Sequence, residues 1–531
     1  MSHETTTTGR RGFLKQSALA VAAAQLACTA DAAGGAVAET QYGKVRGTSQ
    51  NGVHRFLGIR YGADTGGTNR FQPPAKPESW TGVRDAVEWG HVAPQALPTG
   101  GIDYTMSVQW HNRPGGEGED CLALNVWTPG LADGGKRAVL FSIHGGGYST
   151  GAGSNPTFNG QALAEQDDVV VVTINHRLGS LGFLHFGELV PEWSSSGVAG
   201  MLDIVAALEW VRDNIENFGG DPGNVMIFGQ SGGGGKVSHL MSMPAAKGLF
   251  HKAAIQSGAT LRTGEPEAAM DVTLKMLDQI GLDKQRVREM QSSVPWQMMI
   301  GAQMTVGGRL GPILDGVHVT RHPFDPDAPA ASAVVPLLIG TCLHDSAYTL
   351  DTLDMDEAAL AAAVQEMFPA NGKQVLQAYR AAYPDTRPAL LTAQIGSDRR
   401  LRGNAIAMSE LKAAQGGAPV YAYRLDWPSQ SYGGKFGAVH GTDVPLSLRN
   451  PDKWPLTGDG AEAKAMANRL SGAWVAFAKT GNPSNAETPD WPAYDTASRA
   501  TIILDTDTRV ENDPDVELLK LVGARKDAVT S

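Results

Sequence analysis

The chain has 531 residues, 42% of them apolar and 19% charged, with a formal net charge of −11. Mixed charges over so large an apolar share exclude an intrinsically disordered chain, and three cysteines cannot build a disulfide scaffold. The acidic balance argues against nucleic acid or an anionic membrane as the main partner.

The N-terminus reads as an address. Arg10-Arg11-Gly12-Phe13-Leu14-Lys15 is a twin-arginine pair followed by an apolar residue and a lysine, and residues 17–24 are an Ala-rich run. That run is too short and too mild for a bilayer anchor. Ala30-Asp31-Ala32 offers a small-x-small cleavage site, and Ala36-Val37-Ala38 a second one. Residues 1–32 are therefore expected to be a bacterial twin-arginine-type signal. It would hand the folded protein to the export machinery and leave it periplasmic or secreted, with no stable membrane anchor. Cys28 is not expected to be lipidated, because Gln25 stands where a lipoprotein site wants an aliphatic residue.

In the body, residues 42–47 and 56–61 read as two short strands with a turn between them. Residues 139–143 read as a buried-type strand and residues 169–174 as a β-branched run, of the kind buried on both faces of a covered sheet. Leu208, Val211, Ile215 and Phe218 then recur at i, i+3, i+7 and i+10, and Gly219-Gly220 closes that helix. Residues 225–228 form a strand running into a helix over 232–243. Further strands are expected at 253–256, 335–339 and 420–423. Strands alternating with helices predict an α/β fold with a largely parallel sheet. Residues 262–305 and 355–415 read as helical excursions capping its active edge. With no repeat or low-complexity linker, residues 33–531 are expected to form one domain.

Gly229-Gln230-Ser231-Gly232-Gly233 fits G-x-S-x-G between a strand and a helix. The turn there is so tight that side chains two residues to either side of the serine would collide, and the serine hydroxyl is held outward at a helix N-terminus. Ser231 is thus the candidate nucleophile rather than a simple helix cap. The glycine run ending in Lys236 also resembles a phosphate-binding loop, but Gln230 and Val237 break that pattern at both ends. Upstream, His144-Gly145-Gly146-Gly147-Tyr148 follows a strand. Its glycines leave backbone N–H groups free to stabilise an oxyanion, together with the N–H after the serine, so Gly146, Gly147 and Gly232 are the candidate donors. His144 has no partner at ligand spacing, so no metal site is expected.

These motifs resemble the type-B carboxylesterases, the group of cholinesterases and bacterial para-nitrobenzyl esterases. Glu119-Asp120-Cys121-Leu122-Ala123-Leu124-Asn125-Val126, Asn175-His176-Arg177-Leu178-Gly179 and Phe218-Gly219-Gly220-Asp221-Pro222-Gly223-Asn224-Val225 are similar to family segments, and the likeness runs from about residue 37 to 505. It implies an α/β-hydrolase fold and hydrolysis of carboxylic esters through an acyl-enzyme, with no cofactor. The triad order of this fold is serine, acid, histidine. His440, in Val439-His440-Gly441-Thr442-Asp443, matches the family's base segment. Asp345, in Gly340-Thr341-Cys342-Leu343-His344-Asp345, takes the position of the usual Glu, and Asp315 is the rival acid.

Three departures stand out. Gln230 replaces the family's Glu beside the nucleophile, and Gly232 replaces its Ala, which should loosen the turn slightly. Cys121 meets Ala93 where the family has its disulfide partner, so no such bridge is expected. The substrate stays open among simple esters, lactones, amides and specialised esters such as mycotoxins. Its preference depends on cap segments, including the stretch with Tyr104, Trp110 and His111. A non-catalytic binding protein on the same fold is the reading from a different class, and both Ser231 and His440 being present speaks against it.

Overall fold

The computed structural model describes residues 35–96, 101–308, 310–350 and 352–524. The expected signal over residues 1–32, with Cys28, lies outside the described residues. Among those described, the strands in chain order are β1 (Val37–Thr40), β2 (Gly43–Arg46), β3 (Thr48–Gln50), β4 (Val53–Arg60), β5 (Val83–Asp85), β6 (Ala123–Thr128), β7 (Arg137–Ile143), β8 (Val170–Ile174), β9 (Gly220–Gln230), β10 (Lys252–Gln256), β11 (Leu337–Cys342), β12 (Val420–Leu425), β13 (Ala500–Leu504) and β14 (Arg509–Asn512).

Eleven of them make one sheet in the order β14-β13-β12-β11-β10-β9-β7-β8-β6-β4-β3. The stretch from β13 to β8 is parallel throughout. The two margins are antiparallel, at β6, β4 and β3 on one side and β14 on the other. The two strands expected early in the chain do not form a pair. β2 joins β1 and β5 in a small separate sheet, whereas β4 pairs with β6 at the margin of the large one.

Alternation along the central strands builds two cores. Val139, Phe141 and Ile143 of β7 face one side, with Val170, Val172 and Ile227. Leu140 faces the other, with Val171, Met226 and Phe228. Helix Ala199–Asn214 covers the first side with Ile204, Leu208, Trp210 and Val211, which is why its apolar residues recur at helical spacing. Helix Ala461–Thr480 covers the second with Leu470, Trp474 and Phe477. Each such fully buried side chain contributes about 1.5–3 kcal/mol. The Arg177 of the Asn-x-Arg-Leu-Gly segment is buried in a two-pronged bond to Asp203, at 2.9 and 2.6 Å, tying the loop after β8 to this helix.

Both expected excursions are helical, yet only one of them covers the active edge. Residues 266–306, between β10 and β11, send Gln303 and Met304 into the central cavity. The helices of residues 357–414, between β11 and β12, have a small core of their own, with Leu360, Val375 and Leu391, and none of their residues lines that cavity. They brace the loop after β11 instead, where Ser397 accepts the Ser346 N–H at 2.8 Å. The other wall is the stretch holding Tyr104 and Trp110; His111, from the same stretch, is exposed and lies outside the lining. The carboxyl ends of β7, β9, β11 and β12 all point to this cavity, the edge at which open α/β sheets place their chemistry.

Candidate active site

β9 ends at Gln230 and a helix starts at Gly232, so Ser231 alone makes the turn, at φ 56° and ψ −123°. A non-glycine residue held at positive φ costs about 1–3 kcal/mol and persists only when its surroundings impose it. They do: the Ser231 N–H donates to the Gln256 carbonyl at 2.8 Å, and its own carbonyl accepts from the Gly235 N–H at 3.0 Å. The flanking glycines are sterically required. A Cβ on Gly229 would lie 2.6 Å from the Ile143 carbonyl oxygen, and one on Gly233 only 2.2 Å from the same atom.

Asp345 follows β11, fully buried. One carboxylate oxygen lies 2.7 Å from His440 Nδ1, and the other accepts the Cys342 N–H at 3.1 Å. A carboxylate only accepts, so Nδ1 carries the hydrogen and Nε2 keeps its lone pair. The shorter acid therefore reaches the imidazole. The Tyr348 ring stacks on that of His440 at 4.7 Å, and the Tyr104 hydroxyl donates to the His440 carbonyl at 2.8 Å. The rival, Asp315, is spent on a turn, accepting the N–H groups of Val317, His318 and Val319.

Gly146 and Gly147 follow β7 at φ 84° and 64° and line the cavity with Ser231 and His440. Gly232 does not line it. It backs onto Gly147, whose carbonyl oxygen lies 2.0 Å from where a Cβ would sit. The glycine at this position thus leaves no slack, because the loop after β7 occupies the space. The cavity holds about 480 Å³. Among the described residues its wall carries Trp110, Tyr104, Tyr348 and Trp454, the Gln230 and Gln303 amides, and no carboxylate, lysine or arginine. No group of three histidine, cysteine or acidic side chains among the described residues could hold a metal.

Two further residues have roles that the sequence did not single out. His344 is buried, accepts the Ala438 N–H on Nδ1 at 3.1 Å and donates its backbone N–H to the Ala438 carbonyl at 2.9 Å, clasping the loop of Asp345 to the loop of His440. Burial pushes this imidazole down to about 4, so it stays neutral and can accept. Asp443 is a second buried carboxyl, three residues after His440, bonded to the Tyr423 hydroxyl at 2.7 Å. Burial raises it to about 6, the Tyr423 bond opposing and the Asp345 charge adding to the rise. The His-x-x-Asp spacing was its only signal. Cys121 and Cys342 are buried free thiols, and the Ser257 hydroxyl sits against the second, behind the acid loop.

The model of the Carboxylesterase family matches residues 35–520. The chain belongs to this family. Para-nitrobenzyl esterase of Bacillus subtilis (strain 168) is 36% identical over 499 residues, covering 91% of this chain and 97% of the relative. Phenmedipham hydrolase of Pseudarthrobacter oxydans is 32% identical over 495 residues, covering 88% and 94%. Among solved structures, a Geobacillus stearothermophilus carboxylesterase superposes with a TM-score of 0.79 at 35% identity, over 92% of this chain and 99% of the other. The fold is accordingly that of the α/β-hydrolase carboxylesterases, and this carboxylesterase is a carboxylic ester hydrolase.

Proposed function

We propose that the enzyme cleaves uncharged carboxylic esters through an acyl-enzyme on Ser231. His440 Nε2 takes the serine proton as the oxygen attacks the ester carbonyl, and Asp345 orients the ring and stabilises its charged form. The N–H groups of Gly146, Gly147 and Gly232 receive the oxyanion, each such donor lowering the barrier by about 3–4 kcal/mol. The alcohol leaves with the proton from His440, and water releases the acid by the same steps. The observation carrying this reading is the 2.7 Å bond from Asp345 to His440, on a ring that shares one cavity with the strained Ser231. Apolar and aromatic walls without a carboxylate, lysine or arginine among the described residues suit a neutral ester. Ester-panel kinetics on wild type and Ser231→Ala test it: the variant should lose essentially all turnover, and full activity would overturn the assignment.

We further propose that the protein is exported folded through the twin-arginine machinery and cleaved after Ala32, leaving residues 33–531 as one α/β-hydrolase domain. Ala38 is buried in β1, paired with Val45, so cleavage after Ala38 would remove half of that strand. N-terminal sequencing of the exported protein, and retention of an Arg10→Lys/Arg11→Lys variant in the cytoplasm, are the expected results. No helix among the described residues is long and apolar enough to cross a membrane.

A further inference from the structure

Lys236 lies in the second turn of the helix that begins at Gly232, and its side chain is fully buried. Burial, with no compensating carboxylate, pushes its ammonium down to about 7. An unpaired buried lysine is costly and persists only with specific partners. Its Nζ donates to the carbonyl of His144 at 3.0 Å and stands 5.6 Å from the centre of the Tyr148 ring. His144 and Tyr148 are the two residues that bracket Gly145-Gly146-Gly147. The His144 ring stacks on His176 at 4.8 Å and 8°. Each imidazole spends Nδ1 on a backbone carbonyl, Gly145 and Arg177 respectively, which fixes both rings and leaves both Nε2 atoms buried without a partner. The field of Lys236 helps hold both imidazoles neutral, beyond the larger effect of burial.

We propose that Lys236 is a positioning residue for the oxyanion loop, its amino group fixing the His144 carbonyl and thereby the register of the Gly146 and Gly147 N–H groups. This rests on the reading of Ser231 and the glycine loop given above. Lys236 touches no substrate. It couples the helix after Ser231 to the strand end that leads into the glycine loop, adding a direct tie between the two to the hydrogen bonds that fold the loop itself. A donor must sit within a few tenths of an ångström of the developing oxyanion to act, so a loosened loop lowers turnover before it lowers substrate binding.

The test uses the mature protein with Lys236→Met and Lys236→Gln. Three quantities are read: kcat and KM on p-nitrophenyl acetate, the affinity for a trifluoromethyl ketone whose adduct places an oxyanion in the hole, and the thermal unfolding midpoint. Methionine should lower kcat about tenfold or more, leave KM within about twofold and weaken the ketone by the same factor as kcat, without lowering the midpoint. Glutamine keeps an N–H donor and should recover part of both losses, a comparison that stands even if the methionine variant folds poorly. Wild-type kcat and ketone affinity in Lys236→Met, or no recovery in Lys236→Gln relative to it, would overturn the proposal. A wild-type enzyme that is not labelled at Ser231 by a fluorophosphonate would instead sink the underlying reading.

Discussion

Asp443 lets a single substitution separate charge from shape. Its carboxyl titrates at about 6 in the folded enzyme against an ordinary value of 3.8. Below pH 4 both states bind the proton and the difference has no effect. As pH rises from about 4 to 6, the unfolded chain releases its proton first. The folded state then holds more protons, and stability falls across that window. Above pH 6 the accumulated cost is about 3 kcal/mol, from roughly two pKa units at 1.36 kcal/mol each. Asp443→Asn keeps an oxygen for the Tyr423 hydroxyl and removes the titration. The expected outcome is an unfolding free energy close to wild type at pH 4 and higher by up to about 3 kcal/mol at pH 8, measured by urea unfolding at both values. Equal differences at the two pH values would refute the reasoning, because they would mean that Asp443 ionises in the folded state as it does in water. Turnover at pH 8 should fall in the same variant, since one negative charge near the His440 imidazolium is lost.

Gly232→Ala should lower kcat/KM by more than tenfold, because its methyl would occupy the place of the Gly147 carbonyl; unchanged kinetics would show that the loop yields freely. His344→Ala should lower kcat several-fold with little change in KM, and His344→Asn, which can still accept the Ala438 N–H, should restore most of it. Gln230→Glu should alter the rate or the pH profile by adding a charge beside the nucleophile, and identical profiles would leave that position without a special role. Thiol titration of the native enzyme should find essentially no reactive cysteine. After denaturation the mature form should show the two thiols of Cys121 and Cys342, and a count of three would mean that Cys28 and the leader are retained.

The central half of this fold was legible because local pattern and motif agreed there: β-branched runs, a helical apolar stripe and a glycine-bracketed serine all demand the same strand-turn-helix order. Strand partners at the margins were not. Residues 42–47 and 56–61 both read as short strands, but nothing local tells that the first pairs with its chain neighbour β1 and with β5 while the second pairs with β6, more than sixty residues on. Ser231, Asp345 and His440 could be picked out because each sits at a fixed offset from a strand end. His344, Asp443 and Lys236 could not, since what matters in them is the absence of water and the identity of one backbone partner, neither of which is written in spacing. Gly232 shows the reverse limit: a glycine read as slack is in fact filled by another loop's carbonyl.

The aromatic clasp on His440 has a consequence for anyone reshaping this enzyme. Tyr348 and Tyr104 are walls of the cavity and at the same time grips on His440, one by its ring face and one through the backbone carbonyl. Enlarging the cavity at either position would trade speed for breadth, because the imidazole would gain freedom as the ligand gained room. Ala96, Val108 and Met304 line the same space and make no hydrogen bond or ring contact with that imidazole. Libraries confined to those three positions could explore new acyl groups while the machinery stays set.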